Sequence, residues 1–260
     1  MPELKNFIDR ASKFIEQQRQ MFGDFSTATT SSEAPSQAKE IEEEITSNSA
    51  SIATEKENSP QIERMSDPAE LIANCKTCDE LKALCEKSEV LRTDLENTNL
   101  VFGVGNPNAD LMIVGEAPGA NEDKQGEPFV GRAGQLLDKI MEAVNFKRNE
   151  IYIANILKHR PPDNRNPTAE ERAKSLPYLL KQIELIDPKL ILCVGKVSGT
   201  TLLGKDEALK NMRQKFHAFH GRELMVTYHP AALLRNPNWK RPTWEDVQLL
   251  RKRYDELAGK

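Results

Sequence analysis

The chain has 260 residues, 38% hydrophobic and 29% charged, with a formal net charge of −4. That length holds one domain of α/β size with an appendage, and the low apolar share implies that part of the chain lies outside any packed core. No apolar run approaches the length a bilayer span requires, and the acids Glu3, Asp9 and Glu16 near the start speak against an organelle transit peptide.

The charge is unevenly spread. Residues 1–98 carry 11 Lys and Arg against 20 Asp and Glu, a net of −9, whereas residues 99–260 carry 25 against 20, a net of +5. The second part therefore suits a polyanionic partner without demanding one. The four cysteines, Cys75, Cys78, Cys85 and Cys193, fit a reducing compartment better than a disulfide framework, so the expected location is the cytoplasm.

Leu4, Phe7, Ile8, Ala11, Phe14 and Ile15 recur at helical spacing and predict an amphipathic helix within residues 1–25. A lone helix of that length is marginal in water, so it rests on its own domain, frays, or binds a partner protein. Residues 26–67 are rich in Ser, Thr, Glu and Ala, and no aromatic residue occurs between Phe25 and Phe102, which reads as a disordered acidic linker. Periodicity returns with Leu71, Ile72, Leu81 and Leu84, so the folded domain is expected over 68–260.

Within it, strand candidates lie at 111–115, 151–156, 190–195 and 224–228, separated by helices near 132–145, 168–186 and 196–203 and followed by one near 242–257. Thr168 and Glu171 form a capping box, and Pro177 predicts a kink or restart in the helix it opens. Strands alternating with helices predict an α/β domain with a largely parallel sheet covered by helices on both faces.

The first strand runs into GEAPGANEDKQGEPFVGRAG, residues 115–134. Open α/β sheets bind their ligands at such strand ends. Its glycines permit close approach, Glu116, Glu122 and Asp123 offer acceptors, and Phe129 offers a stacking face; an ordinary surface loop is the plain alternative. Three more loops follow strand ends: 155–167, which mixes Lys158, Arg160 and Arg165 with turn formers; 195–198, where Lys196 opens a helix whose amino terminus suits a phosphate; and 228–237, with His229, Leu233, Leu234 and Arg235. Asn155 pairs a donor with an acceptor, as reading a base edge requires. His229 can donate to an oxygen that gains negative charge, and leucines beside an arginine suit a wedge between stacked bases. Taken singly, Asn155 also fits a turn, His229 a backbone-satisfied histidine, and the leucines the start of core packing.

The segments 115–119, 126–134, 160–165 and 228–237, in this order and spanning about 95 to 255, resemble the uracil-DNA glycosylase superfamily, most closely family 4. The resemblance implies a fold with a four-stranded parallel sheet flanked by helices and a DNA repair glycosylase that flips uracil into a pocket, stacks it on Phe129 and reads it with Asn155, with the backbone at Ala117 and Gly119 lining the pocket. It further implies His229 as support for the O2 oxygen, with Glu116, Glu122 and Asp123 as the catalytic candidates for positioning water or stabilising positive charge on the sugar. Arg132, Arg160, Arg165, Lys196, Leu233, Leu234 and Arg235 become the candidate DNA contacts. The partner is uracil-containing DNA, no membrane is involved, and a monomer is expected. Typical family 4 enzymes bind an iron–sulfur cluster through four cysteines, but His159 and Ser175 stand at two of those positions here, so the expectation is a branch without a cluster or other metal. The rival readings are a catalytically inactive DNA-binding or partner-recruiting module on the same fold, and a nucleotide-phosphate enzyme, which the missing Gly-x-Gly-x-x-Gly disfavours.

Overall fold

The structure, a computed structural model, describes residues 68–259. The expected amino-terminal helix and acidic linker lie outside these residues. Two short helices, α1 (Pro68–Asn74) and α2 (Cys78–Glu86), open the described chain, the second capped by the Thr77 hydroxyl, which accepts from the Glu80 N–H. There follow β1 (Val104–Gly105), β2 (Leu111–Gly115), α3 (Ala120–Gln125), α4 (Arg132–Ala143), β3 (Tyr152–Asn155), α5 (Ala169–Ile186), β4 (Leu190–Val194), α6 (Lys196–Leu203), α7 (Leu209–Met212), β5 (His217–Phe219), β6 (Arg222–Thr227), α8 (Pro230–Arg235) and α9 (Lys240–Leu257).

The sheet has six strands in the order β1-β3-β2-β4-β6-β5. Its four central strands are the expected parallel ones. The two edges are short antiparallel additions, β1 on β3 and β5 on β6, so the sheet as a whole is mixed. Neither edge carries an apolar run for periodicity to reveal: β1 is two residues and β5 three, and their pairing comes from position beside a long neighbour.

The central strands are apolar throughout because both faces are covered. On one face Met112, Val114, Ala154, Ile191, Cys193, Leu224 and Val226 pack against Leu176, Leu179, Leu180 and Ile183 of α5. The other face joins Leu111, Ile113, Ile153, Leu190, Leu192 and Met225 to Leu137 and Met141 of α4 and to Val247 and Leu250 of α9. This period-two division makes a three-layer domain. A third, smaller cluster sets Ile72, Cys75, Leu81, Cys85, Leu91 and Phe102 against Tyr178 of α5.

The Thr168–Glu171 capping box forms as expected, but α5 continues through Pro177 as one element. The residues around the proline, Leu176, Tyr178, Leu179 and Leu180, are all buried, and their packing outweighs the loss of one backbone donor. The 228–237 segment is likewise a helix rather than a loop, with Pro230 at its first position and His229 as its cap.

Helix α9 is tied to the end of β6 by a buried carboxylate. Asp246 is fully buried, and its Oδ2 accepts from Arg213 Nε at 2.7 Å and from the Thr227 hydroxyl at 2.5 Å. Removing one partner of a buried ion pair leaves the other uncompensated and costs about 3–5 kcal/mol. Asp246→Ala is therefore expected to lower unfolding free energy by about that amount in urea denaturation, against well under about 1 kcal/mol for Arg241→Ala, whose pair with Glu245 is solvent-exposed.

Candidate active site

The parallel register sets Gly115 of β2 directly beside Asn155 of β3. A Cβ at position 115 would lie 2.3 Å from Asn155 Oδ1 and 2.6 Å from two ring atoms of Phe129. Only glycine leaves room for an amide and an aromatic ring to converge there. Asn155 is 2% exposed, and its Oδ1 has no protein partner although it is buried. Buried polar atoms are normally paired, so an unpaired one facing a cavity marks a place for a ligand donor.

The cavity has a volume of about 410 Å³ and is lined by Glu116, Ala117, Pro118, Gly119, Glu122, Phe129, Asn155, His229 and Arg235, with Ala133, Ala231 and the loop residues Pro161, Asn164, Arg165 and Asn166 completing the wall. It lies at the carboxyl ends of β2, β3 and β6, where α/β sheets bind ligands.

Phe129 is held in an uncommon conformation, φ 56°. Its loop is clamped on both sides. Glu122 Oε1 accepts the N–H groups of Val130 at 3.0 Å and Gly131 at 2.9 Å. Arg148, fixed by Asp138, donates to the Pro128 carbonyl at 2.6 Å. Behind the ring, a Cβ on Gly134 of α4 would fall 1.8 Å from the Phe129 carbonyl oxygen, so α4 can seat the loop only through glycine. Such strain at an aromatic residue persists where surrounding contacts over-determine it, commonly at functional sites.

His229 faces Phe129 with ring centroids 5.6 Å apart. As the cap of α8, its Nδ1 accepts the Ala231 N–H at 3.1 Å. That leaves the proton on Nε2, so the ring is a donor on its remaining edge. Burial, reinforced by the Arg235 cation, pushes its pKa down to about 4, so it is neutral at ordinary pH. Glu116 is the acid whose own environment is perturbed: burial raises its pKa, opposed by the Arg172 guanidinium of α5.

The other expected site residues divide. Glu122 touches the cavity but its Oε1 is spent on the Phe129 loop. Asp123 lies outside the cavity wall and accepts the Asn99 N–H at 2.7 Å. Arg165 lines the cavity while holding Glu171 through two 2.8 Å bonds and Asp94 through a third. Arg160 Nε meets Asn164, and Lys196 pairs with Asp206 at 3.0 Å, away from the cavity wall. Arg132 is exposed at the start of α4. Leu233 is fully buried, so it cannot serve as a wedge; Leu234, 41% exposed, is the leucine presented to solvent. One helical position separates the two fates, and that is decided by the facing of α8. Sequence reasoning missed Arg148, Gly134 as the seat of the loop, and Arg172, because each acts across a contact distant in the chain.

Behind the site, Lys158 is fully buried, and its ammonium donates to the carbonyls of Asn155 and Phe102 at 3.1 Å each and to Gln182 Oε1 at 2.6 Å. Burial lowers its pKa to about 8. His159 Nδ1 meets the Thr98 hydroxyl at 3.0 Å, and Ser175 is buried.

The sequence profile of the uracil DNA glycosylase superfamily matches residues 102–249. The chain is 36% identical over 207 residues to a Type-4 uracil-DNA glycosylase of Archaeoglobus fulgidus, a match covering 76% of this chain and 96% of that protein. It is 42% identical over 163 residues to the Type-4 enzyme of Sulfurisphaera tokodaii (59% and 74% covered) and 40% over 158 residues to that of Thermotoga maritima (59% and 82% covered).

These matches overturn the expectation of a protein without a cofactor. The relatives carry the Type-4 name, the class whose members typically bind an iron–sulfur cluster, so membership points toward that cofactor. The donor set was a local exception and could not outweigh similarity along the whole domain. The residues themselves do not supply four thiolates: Cys75 and Cys78 are free cysteines, His159 and Ser175 occupy the other two expected positions, and among the described residues no group of three or more Cys, His, Asp and Glu is arranged to hold a metal ion. No step of the chemistry below passes through a cluster.

The His229 geometry is open to direct measurement. Imidazole nitrogen shifts by NMR should report a neutral ring protonated on Nε2 throughout the neutral range, with protonation only as pH falls toward about 4. A ring titrating near its unperturbed value, about 6.5, would mean that the imidazole is solvated rather than capped.

Proposed function

The chain belongs to the uracil DNA glycosylase superfamily, and from that premise we propose that it is a DNA repair hydrolase that extrudes uracil from DNA and cleaves its N-glycosidic bond, leaving an abasic site. The observation that carries this reading is the convergence of the unpaired Asn155 amide, the Phe129 ring and the neutral His229 in one cavity. Relatives named as glycosylases disfavour an inactive binding module on the same fold.

The chemistry follows from the groups present. Uracil enters as a flipped base, and Phe129 offers it a stacking face. Asn155 meets its Watson–Crick edge, the amide NH2 donating to O4 and Oδ1 accepting from N3–H. As the C1′–N1 bond breaks, its electron pair passes into the base and negative charge gathers on O2. His229 Nε2–H donates there, and because the ring is already neutral and fixed, little reorganisation is needed. The sugar is left as an electron-poor cation, water adds to C1′, and the Glu116 carboxylate takes the proton. Glu122 positions the Phe129 loop, Asp123 anchors it to Asn99, and Leu234 with Arg235 fills the gap left in the duplex. Arg132, Arg160 and Lys196 lie on loops and helix starts suited to phosphate contact. The domain working alone, as a cytoplasmic monomer beginning near residue 68, completes the reading; four free thiols support a reducing compartment.

Incubation with a uracil-containing oligonucleotide, followed by alkali, tests the activity. Asn155→Asp places an acceptor opposite O4, so uracil excision should fall by about 10⁴-fold, the size expected when a buried polar group is left unpaired, while cytosine excision rises relative to it. Near wild-type excision would remove Asn155 from recognition. Glu116 is needed as a carboxylate and its pKa is raised, so activity should decline as pH falls through a limb above the usual carboxylate range. In Glu116→Gln the rate should drop and that limb should vanish, leaving only the decline near pH 4 that belongs to His229.

A further inference from the structure

Trp239 is 37% exposed. It ends the short 3₁₀ turn Pro237–Trp239 that follows α8 directly, four residues beyond Arg235, which lines the cavity. Its indole lies nearly parallel to the Tyr228 ring, 10° apart with centroids at 5.0 Å. Tyr228 in turn takes the Arg213 guanidinium 4.4 Å from its centroid, and Arg213 is held by the buried Asp246. The backbone is pinned as well: the Trp239 N–H donates to the Asn236 carbonyl at 3.2 Å, and the Trp239 carbonyl accepts the Thr243 hydroxyl at 2.8 Å.

A large aromatic surface kept partly in water has cost its hydration without being used in the core. A ring fixed from behind and open in front loses no side-chain freedom when something stacks upon it. The surrounding charge says what that partner is. From Tyr228 to Arg241 the chain carries Arg235, Lys240 and Arg241 and no acid, a polyanion-facing composition around an aromatic face, the combination by which single strands are held. Arg241 also meets Glu245 at 3.5 Å, which leaves Lys240 and Arg235 as the main cations.

We propose that Trp239 is a stacking platform for a nucleobase of the DNA strand immediately beside the extruded nucleotide, braced by Tyr228, Arg213 and Asp246 and flanked by Arg235 and Lys240 as phosphate contacts. This deepens the glycosylase reading and rests on it. The platform sets how tightly the strand is held and has no part in bond cleavage.

The chain has two tryptophans, so Trp244→Phe leaves Trp239 as the sole indole without altering the platform. This variant is titrated with a single-stranded oligonucleotide holding one 2′-fluoro-substituted deoxyuridine, which slows cleavage, and with the same strand carrying abasic tetrahydrofuran spacers on both sides of it. Indole quenching is expected with the first strand and largely lost with the second. Separately, Trp239→Ala should raise KM for a uracil-containing single strand about 5–100-fold with kcat nearly unchanged, and Trp239→Phe should recover most of the loss. A silent indole, equal quenching by both strands, or an unchanged KM in Trp239→Ala would overturn the proposal. If the wild-type protein released no uracil, the glycosylase reading would fail while the fluorescence would still decide the stacking. Full uracil release with a silent indole would sink the stacking alone.

Discussion

Everything at the recognition end of this domain depends on the missing side chain at Gly115. In a parallel pair, residues in register stand side by side, and here the partner of Gly115 is Asn155. Any Cβ would meet both the Asn155 amide and the Phe129 ring well inside contact distance. The cavity exists because one strand ends in a residue with no bulk next to a strand that ends in an amide. The rest of the architecture serves to bring a ring and an imidazole to that point and keep them there.

The keeping is done by charged groups whose bonds run to the protein itself. Glu122 and Arg148 hold the loop on either side of Phe129. Lys158 grips the carbonyl of Asn155 from inside the domain, and Arg213 with Asp246 fixes the end of β6 that leads to His229. Burying a charge is costly unless it is paired or hydrogen-bonded: Asp246 is paired with Arg213, and the Lys158 ammonium is met by two carbonyls and the Gln182 amide oxygen. Specificity in a flipped-base pocket needs groups placed to within a fraction of an ångström, which apolar packing alone does not provide at loops.

Burial also sets the chemistry apart from its surroundings. The same desolvation that drives His229 toward the neutral form raises Glu116 toward its protonated form. The lowered histidine and the raised carboxyl are shifts of opposite direction with one cause, because burial penalises whichever form is charged.

The sequence by itself determined the layered α/β domain and the identity of the central residues. Four apolar runs separated by helical periods dictate parallel strands, and glycines, an amide, a histidine and a phenylalanine at their ends are unusual enough together to be read as a site. It could not show the two edge strands, which are too short to carry a period, nor the continuity of α5 through Pro177, which rests on packing. The assignment of Leu233 to the core and Leu234 to the surface was also undecidable, since both residue types are alike and only the orientation of α8 distinguishes them. The four cluster positions illustrate the reverse risk: the family was legible in the motifs, but weighing two missing thiolates led away from the cofactor that similarity along the whole domain points toward. What tertiary structure alone decided are contacts between residues far apart in the chain, Gly134 against Phe129, Arg148 against Pro128 and Asp246 against Thr227. No local pattern encodes these, because their partners are chosen by how the layers close on one another.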